Sequence, residues 1–225
     1  MVWNMTEFNT NRPLRVVGIA GSPTSPSRST ALLRQAMDEA GNLAGHGSQL
    51  STIAVRDLPA QALLGADIDH PTIAEALAQV RAADLVLVAT PIYKAAYSGL
   101  LKTFLDLLPQ DGLRDKTVLA LGTGGGIGHL LALDYALKPV LGALGSRHLL
   151  DAVYAEDSQF SRDEHGGHVV APGVLVRIRR ALQPLRSPGS HQTSAAVGPR
   201  ALPLPVEVQV RPPWLRPGVS ASFAW

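Results

Sequence analysis

The 225-residue sequence contains no cysteine. That excludes a disulfide framework, a thiolate metal site and cysteine nucleophilic catalysis. It fits a reducing compartment, and the expectation is a cytoplasmic protein. Aromatic residues are few, at 5%. An excess of one charge is also missing. The formal net charge is +2, and Lys and Arg are not gathered into a long run. Nucleic-acid and membrane-surface binding therefore have no electrostatic footing. No apolar run reaches the roughly 18 residues that a membrane-spanning helix needs. The opening "MVWNMTEFNTNRP" has no basic stretch followed by an apolar one, so it does not read as a signal peptide. Residues 1–13 read as a flexible extension.

What is present suits one globular domain. The length allows a full core, and 46% of residues are apolar. Apolar runs alternate with helical patterns. The predicted strands are residues 14–20, 49–55, 85–89, 118–122 and 149–155. The predicted helices are 29–40, 72–83, 98–108, 128–144 and 173–182. Runs such as "LVLVA" are continuously apolar, as strands covered on both faces of a parallel sheet must be. Five β-α units predict an α/β fold of the flavodoxin-like kind. Its parallel sheet would have five strands in the order 2-1-3-4-5, with helices on both faces. The domain is expected over residues 14–182. After Gln183 come 42 residues with 8 of the 17 prolines, so 183–225 reads as a disordered tail. Pro184 also ends the last helix.

Ligands of open α/β sheets bind outside the carboxyl ends of the strands. The first strand is followed by "GSPTSPSRST", with six hydroxyl side chains in ten residues. Hydroxyls and free N–H groups at a helix start can surround a phosphate, and Arg28 can add a charged hydrogen bond. The loop lacks the Walker A spacing and the G-x-G-x-x-G spacing, so a monophosphate fits better than a triphosphate or a dinucleotide. Taken alone, the stretch also suits an ordinary turn with an N-cap at Ser27 or Ser29. The third strand is followed by "TPIYK", where Pro91, Ile92 and Tyr93 offer a stiff apolar surface for a planar ring. The Thr90-Pro91 step is expected to break the strand. The fourth is followed by "GTGGGIGH", whose glycines let backbone approach a heterocycle's polar edge. Each of the last two loops also suits a plain turn. In the order 2-1-3-4-5 the three loops share one cleft.

Longer stretches carry a resemblance. "AGSPTSPSRSTALL", "VATPIYKAAYSGLLKTFLDLLP", "GTGGGIGHLLALDYALKPVLGALG" and "VYAEDSQF" closely resemble NAD(P)H-dependent FMN reductases, nearest to those of two-component alkanesulfonate monooxygenase systems. The resemblance runs from about Leu14 to Leu182. It implies reduction of FMN by NADPH, with NADH possible, and delivery of reduced FMN to a partner monooxygenase in sulfonate sulfur assimilation. It implies a phosphate loop of Ser22, Ser27, Arg28, Ser29 and Thr30. It further implies a ring shelf of Pro91, Ile92, Tyr93 and Lys94, and a backbone approach from Thr123, Gly124 and Gly125. Tyr135, in "LLALDYALKPVL", matches an inserted tyrosine that forms a π-bulge at a tetramer interface and accompanies weak flavin retention. A homo-oligomer, dimer or tetramer, is expected.

Hydride transfer between two cofactors needs no strong general base, and none is nominated. His129 reads more readily as a structural donor than as a ligand-placing group. His165 and His168 lie in a Gly-rich stretch with no evident third ligand, so no metal is expected. Two other readings remain: a flavin-retaining quinone or azo reductase, and a flavodoxin-like electron carrier. The sequence pI near 9.1 weighs against the carrier, which is usually acidic.

Overall fold

The computed structural model describes residues 12–43 and 47–185. The expectations for residues 1–11 and 186–225, the extension and most of the tail, lie outside the described residues. The chain opens with β1 (Arg15–Ala20), α1 (Arg28–Leu43) and β2 (Gln49–Ala54). A 3₁₀ turn (Val55–Asp57), α2 (Ala60–Leu64) and α3 (Pro71–Ala82) follow. Then come β3 (Leu85–Tyr93), β4 (Ala96–Tyr97), α4 (Gly99–Leu105) and β5 (Thr117–Gly124). After a 3₁₀ turn (Ile127–Leu130), a π-helix (Leu133–Leu137) runs into α5 (Lys138–Ala143). The domain continues with β6 (His148–Leu149), β7 (Val153–Glu156) and a 3₁₀ turn (Asp157–Gln159). It ends with β8 (Phe160–Arg162), β9 (His168–Val170) and α6 (Pro172–Leu182), followed by a short 3₁₀ turn.

The main sheet runs β2-β1-β3-β5-β6, all parallel. Further along β5, β7 takes over the place of β6, also parallel. Counted in the five strands expected from sequence, the order is 2-1-3-4-5, the flavodoxin-like order. Three small strands depart from it. β4 turns back antiparallel on β3, and β8 and β9 form a separate hairpin.

Alternation along the central strands explains their unbroken apolar character. Val16 and Ala20 of β1, Leu85, Leu87 and Ala89 of β3, and Leu119 and Leu121 of β5 face α1 and α6. Val17 and Ile19, Val86 and Val88, and Val118 and Ala120 face the opposite layer, which includes α3, α4 and α5. Side chains point to opposite faces at every step, so a strand covered twice must be apolar at every position. The helix ends are set locally. His70 Nδ1 accepts from the Thr72 N–H ahead of Pro71, and Ser98 Oγ accepts from the Leu101 N–H. α6 stops at Leu182, two residues before Pro184.

Four expectations need correction. β3 does not break at Thr90-Pro91 but continues to Tyr93. Beyond Ala89 the register with β1 has ended, so Pro91 forfeits no N–H bond to that neighbour while still pairing with Thr123 of β5. The fifth strand is split into β6 and β7 rather than continuous. The helix expected over 128–144 is a 3₁₀ turn, a π-helix and a short α-helix in succession. The fourth helix is shorter than expected, with Ser98 as its cap and its end at Leu105. No helix among the described residues is long and apolar enough to cross a membrane.

Leu87 is fully buried in the middle of the central strand. Leu87→Ala is expected to cost about 2–5 kcal/mol. The measurement is a lowered urea midpoint with an unchanged slope.

Candidate functional site

The loop after β1 is tied to β3 and to the cap of α4 at Gly21. Its N–H donates to Ala89 O of β3 at 2.8 Å, and its carbonyl accepts the Ser98 hydroxyl. A Cβ at Gly21 would lie 2.7 Å from Leu101 Cβ and 3.1 Å from Ala89 O. Only glycine permits that approach of β1, β3 and α4. The Ser98 N–H donates to Thr90 Oγ1, which donates to Pro91 O, each at 2.9 Å. Buried hydroxyls thus satisfy the backbone at the point where the strands diverge.

The first loop becomes the N-terminus of α1. Ser27 caps the helix: its carbonyl accepts from the Ala31 N–H and its Oγ from the Thr30 N–H. Ser27 Oγ and Ser29 Oγ lie 3.0 Å apart. Ser29 is buried, and Thr30 Oγ1 is shut away from solvent with no hydrogen-bond partner among the described residues. A buried hydroxyl without a partner beside a helix N-terminus is the arrangement an entering anion would complete. Ser22 is buried and turned inward, its Oγ accepting from the Thr24 N–H at 3.3 Å. The loop is braced from β2's end, where Arg56 donates to Thr24 O at 2.6 Å. Arg28 pairs with Asp157 at 2.7 Å.

The second loop is the hairpin from β3 to β4. Pro91 and Ile92 are buried, whereas Tyr93 is 48% exposed. Tyr93 pairs with Ala96 across a two-residue turn, and both turn residues have positive φ: Lys94 at 49° and Ala95 at 62°. Hairpin turns of this kind usually carry Asn or Gly there. Lys and Ala hold the conformation at a cost of about 1–2 kcal/mol each.

The third loop leaves β5 at Thr123 and Gly124. Thr123 is buried and in register with Pro91, which joins this loop to the shelf. A Cβ at Gly124 would fall 2.7 Å from the Tyr154 hydroxyl and 3.0 Å from His129 Nδ1. Tyr154 donates that hydroxyl to Gly126 O at 2.7 Å. Burial pushes the Tyr154 hydroxyl above its ordinary value, so it stays a donor. The exposed His129 sits at the loop's 3₁₀ turn.

The sequence-predicted phosphate, shelf and glycine-loop residues thus converge on one end of the sheet. Tyr135 is set apart, 80% exposed on the π-helix, whose Leu133 packs over Gly122. Residues 165 and 168 belong to the β8–β9 hairpin, where His168 meets Phe160 edge to face with ring centres 6.3 Å apart. Burial, then the charges of Arg162 and Arg28, push His168 below its ordinary value. Sequence reasoning missed Arg56, Tyr154, Asp157 and Ala95. Asp157 stood in the quoted "VYAEDSQF", but nothing in the spacing tied it to Arg28, 129 positions away. The turn strain gives a direct expectation. Ala95→Gly should raise stability by roughly 0.5–1 kcal/mol, since part of the relief is offset by the freer unfolded chain. Thermal unfolding checks it.

The chain was compared with known proteins. The family model described as NADPH-dependent FMN reductase matches residues 14–161. The chain is 45% identical over 170 residues to the FMN reductase (NADPH) of Escherichia coli, spanning 76% of this chain and 87% of that protein. It is 47% identical over 149 residues to the FMN reductase (NADPH) of Pseudomonas putida, spanning 66% and 74%. Among solved structures, an NADH:FMN oxidoreductase in its apo form superposes with a TM-score of 0.67 at 40% identity, covering 76% of this chain and 87% of that one. The match runs through all three strand-end loops, and on it the chain belongs to the NADPH-dependent FMN reductase family.

Proposed function

We propose that the protein reduces FMN with a nicotinamide nucleotide, NADPH in the first instance and NADH as an alternative donor. The observation that carries this reading is the partnerless Thr30 Oγ1 within a cluster of hydroxyls at the start of α1. Ser27, Ser29 and Thr30 would turn their hydroxyls onto the FMN phosphate, with the first N–H groups of the helix behind them. Arg28 would add charge, and Ser22 would hold the loop's shape through Thr24. Pro91, Ile92, Tyr93 and Lys94 would form the shelf under the ring. Thr123, Gly124 and Gly125 would offer backbone groups to its polar edge.

Bound flavin supplies the chemistry, accepting a hydride from the nicotinamide. The chain's part is to bind, stack and orient. Hydride transfer from one cofactor to another asks for no strong general base. The strained turn at Lys94 and Ala95 fixes where Tyr93 stands, so the shelf is prepared before a ligand arrives.

The resemblance at "LLALDYALKPVL" extends the proposal. FMN would be a transient substrate, handed on after reduction to a partner monooxygenase in sulfonate sulfur assimilation. The reading includes a cytoplasmic homo-oligomer, with Tyr135 at the contact between subunits. Ile127, Leu131 and Tyr135 are all exposed on the same short stretch, which supports an apolar contact there. π-Helical turns recur at functional sites.

Two outcomes are expected. NADPH oxidation followed in the presence of FMN should be fast and should fall to background without it. If neither NADPH nor NADH is consumed in an FMN-dependent way, the proposal is wrong. Tyr135→Ala should purify with more bound flavin than the wild type and with a smaller assembly by light scattering. A colourless variant with unchanged assembly and normal turnover would contradict the role given to Tyr135.

A further inference from the structure

Asp157 stands where the phosphate loop and the glycine loop come together. Its Oδ2 is 2.7 Å from Arg28 Nη1 and would be 4.0 Å from a Cβ on Gly125. Its other oxygen, Oδ1, is buried without a partner among the described residues. The turn carrying it is built with care. Glu156 and Gln159 cap it reciprocally, the Gln159 side chain accepting from the Glu156 N–H at 3.1 Å. Arg177 of α6 then grips the same turn from behind. It donates to Gln159 Oε1 at 2.8 Å and to Tyr154 O at 2.7 Å. A single arginine therefore fixes both ends of the segment whose Tyr154 holds Gly126 and whose Asp157 holds Arg28.

Arg28 needs such a hold. It is the first residue of α1, where the helix dipole and unpaired N–H groups repel a cation. About two-fifths of its side chain is exposed, so an unanchored guanidinium would turn out into water. The pair engages one terminal nitrogen of Arg28 and leaves the remaining N–H donors for another acceptor. We propose that Asp157 is a positioning residue: it aims Arg28 across the phosphate loop, and Gln159 and Arg177 keep it in place. The inference rests on the flavin reading of the same site. It adds that phosphate recognition depends on a carboxylate just beyond the end of β7, a charge that would otherwise oppose an anion.

Binding of FMN and of riboflavin, which lacks the phosphate, separates the possibilities. Each would be titrated into flavin-free protein and followed by fluorescence quenching. Asp157→Ala should weaken FMN about tenfold and leave riboflavin within twofold. Asp157→Asn keeps an acceptor for Arg28 and should recover most of the loss. In an Arg28→Ala background, Asp157→Ala should cost nothing further. The inference is overturned if Asp157→Ala binds FMN as tightly as the wild type or more tightly, since Asp157 would then act only as an opposing charge. It is overturned equally by a matched loss for riboflavin, or by an undiminished loss in the Arg28→Ala background. A wild type that binds neither flavin would sink the flavin reading itself, and this inference with it.

Discussion

Gly21 donates its N–H to Ala89 O and accepts the Ser98 hydroxyl on its own carbonyl. Those two bonds tie the end of β1 to Ala89 within β3 and to the cap of α4. The absent side chain is what allows them, because Leu101 occupies the space a Cβ would need. Two of the proposed ligand loops start at this junction, and the third is joined to them through β5. The phosphate loop departs from Gly21, the shelf departs from Ala89, and Pro91 beside Thr123 carries the connection on to the glycine loop. A parallel sheet opens a crevice where neighbouring crossovers leave in opposite directions. Here α1 packs on one face of the sheet and α4 on the other.

Around that junction the structure accepts costs that a purely structural loop would avoid. Lys94 and Ala95 sit in the left-handed region, and two buried oxygens, Thr30 Oγ1 and Asp157 Oδ1, lack partners. All of these lie in or next to the three loops. Comparable costs occur elsewhere, with positive φ at Ala66 and Asp115 and with Gln79 Oε1 and Ser146 Oγ unpartnered among the described residues. What sets this end of the sheet apart is that its strained turn and its two unmet oxygens all lie on or beside the three loops. The rest of the core supplies stability: β1, β3 and β5 are apolar and buried on both faces.

The fold was readable because its signal is local and repeated. "LVLVA" and its counterparts announce a sheet covered twice, and capping residues such as Ser27 mark helix starts. The cluster of hydroxyls at the start of α1 was readable for the same reason, since Ser27, Ser29 and Thr30 are neighbours in sequence. What escaped was non-local or idiosyncratic. Pro91 reads as a strand breaker until the β1 register is seen to end at Ala89. Nothing near Ala95 announces positive φ, because glycine or asparagine would be the usual choice. The Arg28–Asp157 pair and the grip of Arg177 on Gln159 join residues from different strand ends, and only the folded chain brings them together. The π-helix entered through the resemblance at Tyr135 and not through any periodicity.

The central claim is that the three loops form a single flavin site, with the phosphate at the start of α1 and the ring between Tyr93 and the glycine loop. A crystal structure of the protein with FMN tests it most directly. The account predicts phosphate oxygens within hydrogen-bond distance of the Ser27, Ser29 and Thr30 hydroxyls, and the ring edge facing the backbone of Thr123, Gly124 and Gly125. FMN bound elsewhere, or seated with its phosphate away from α1, would contradict it.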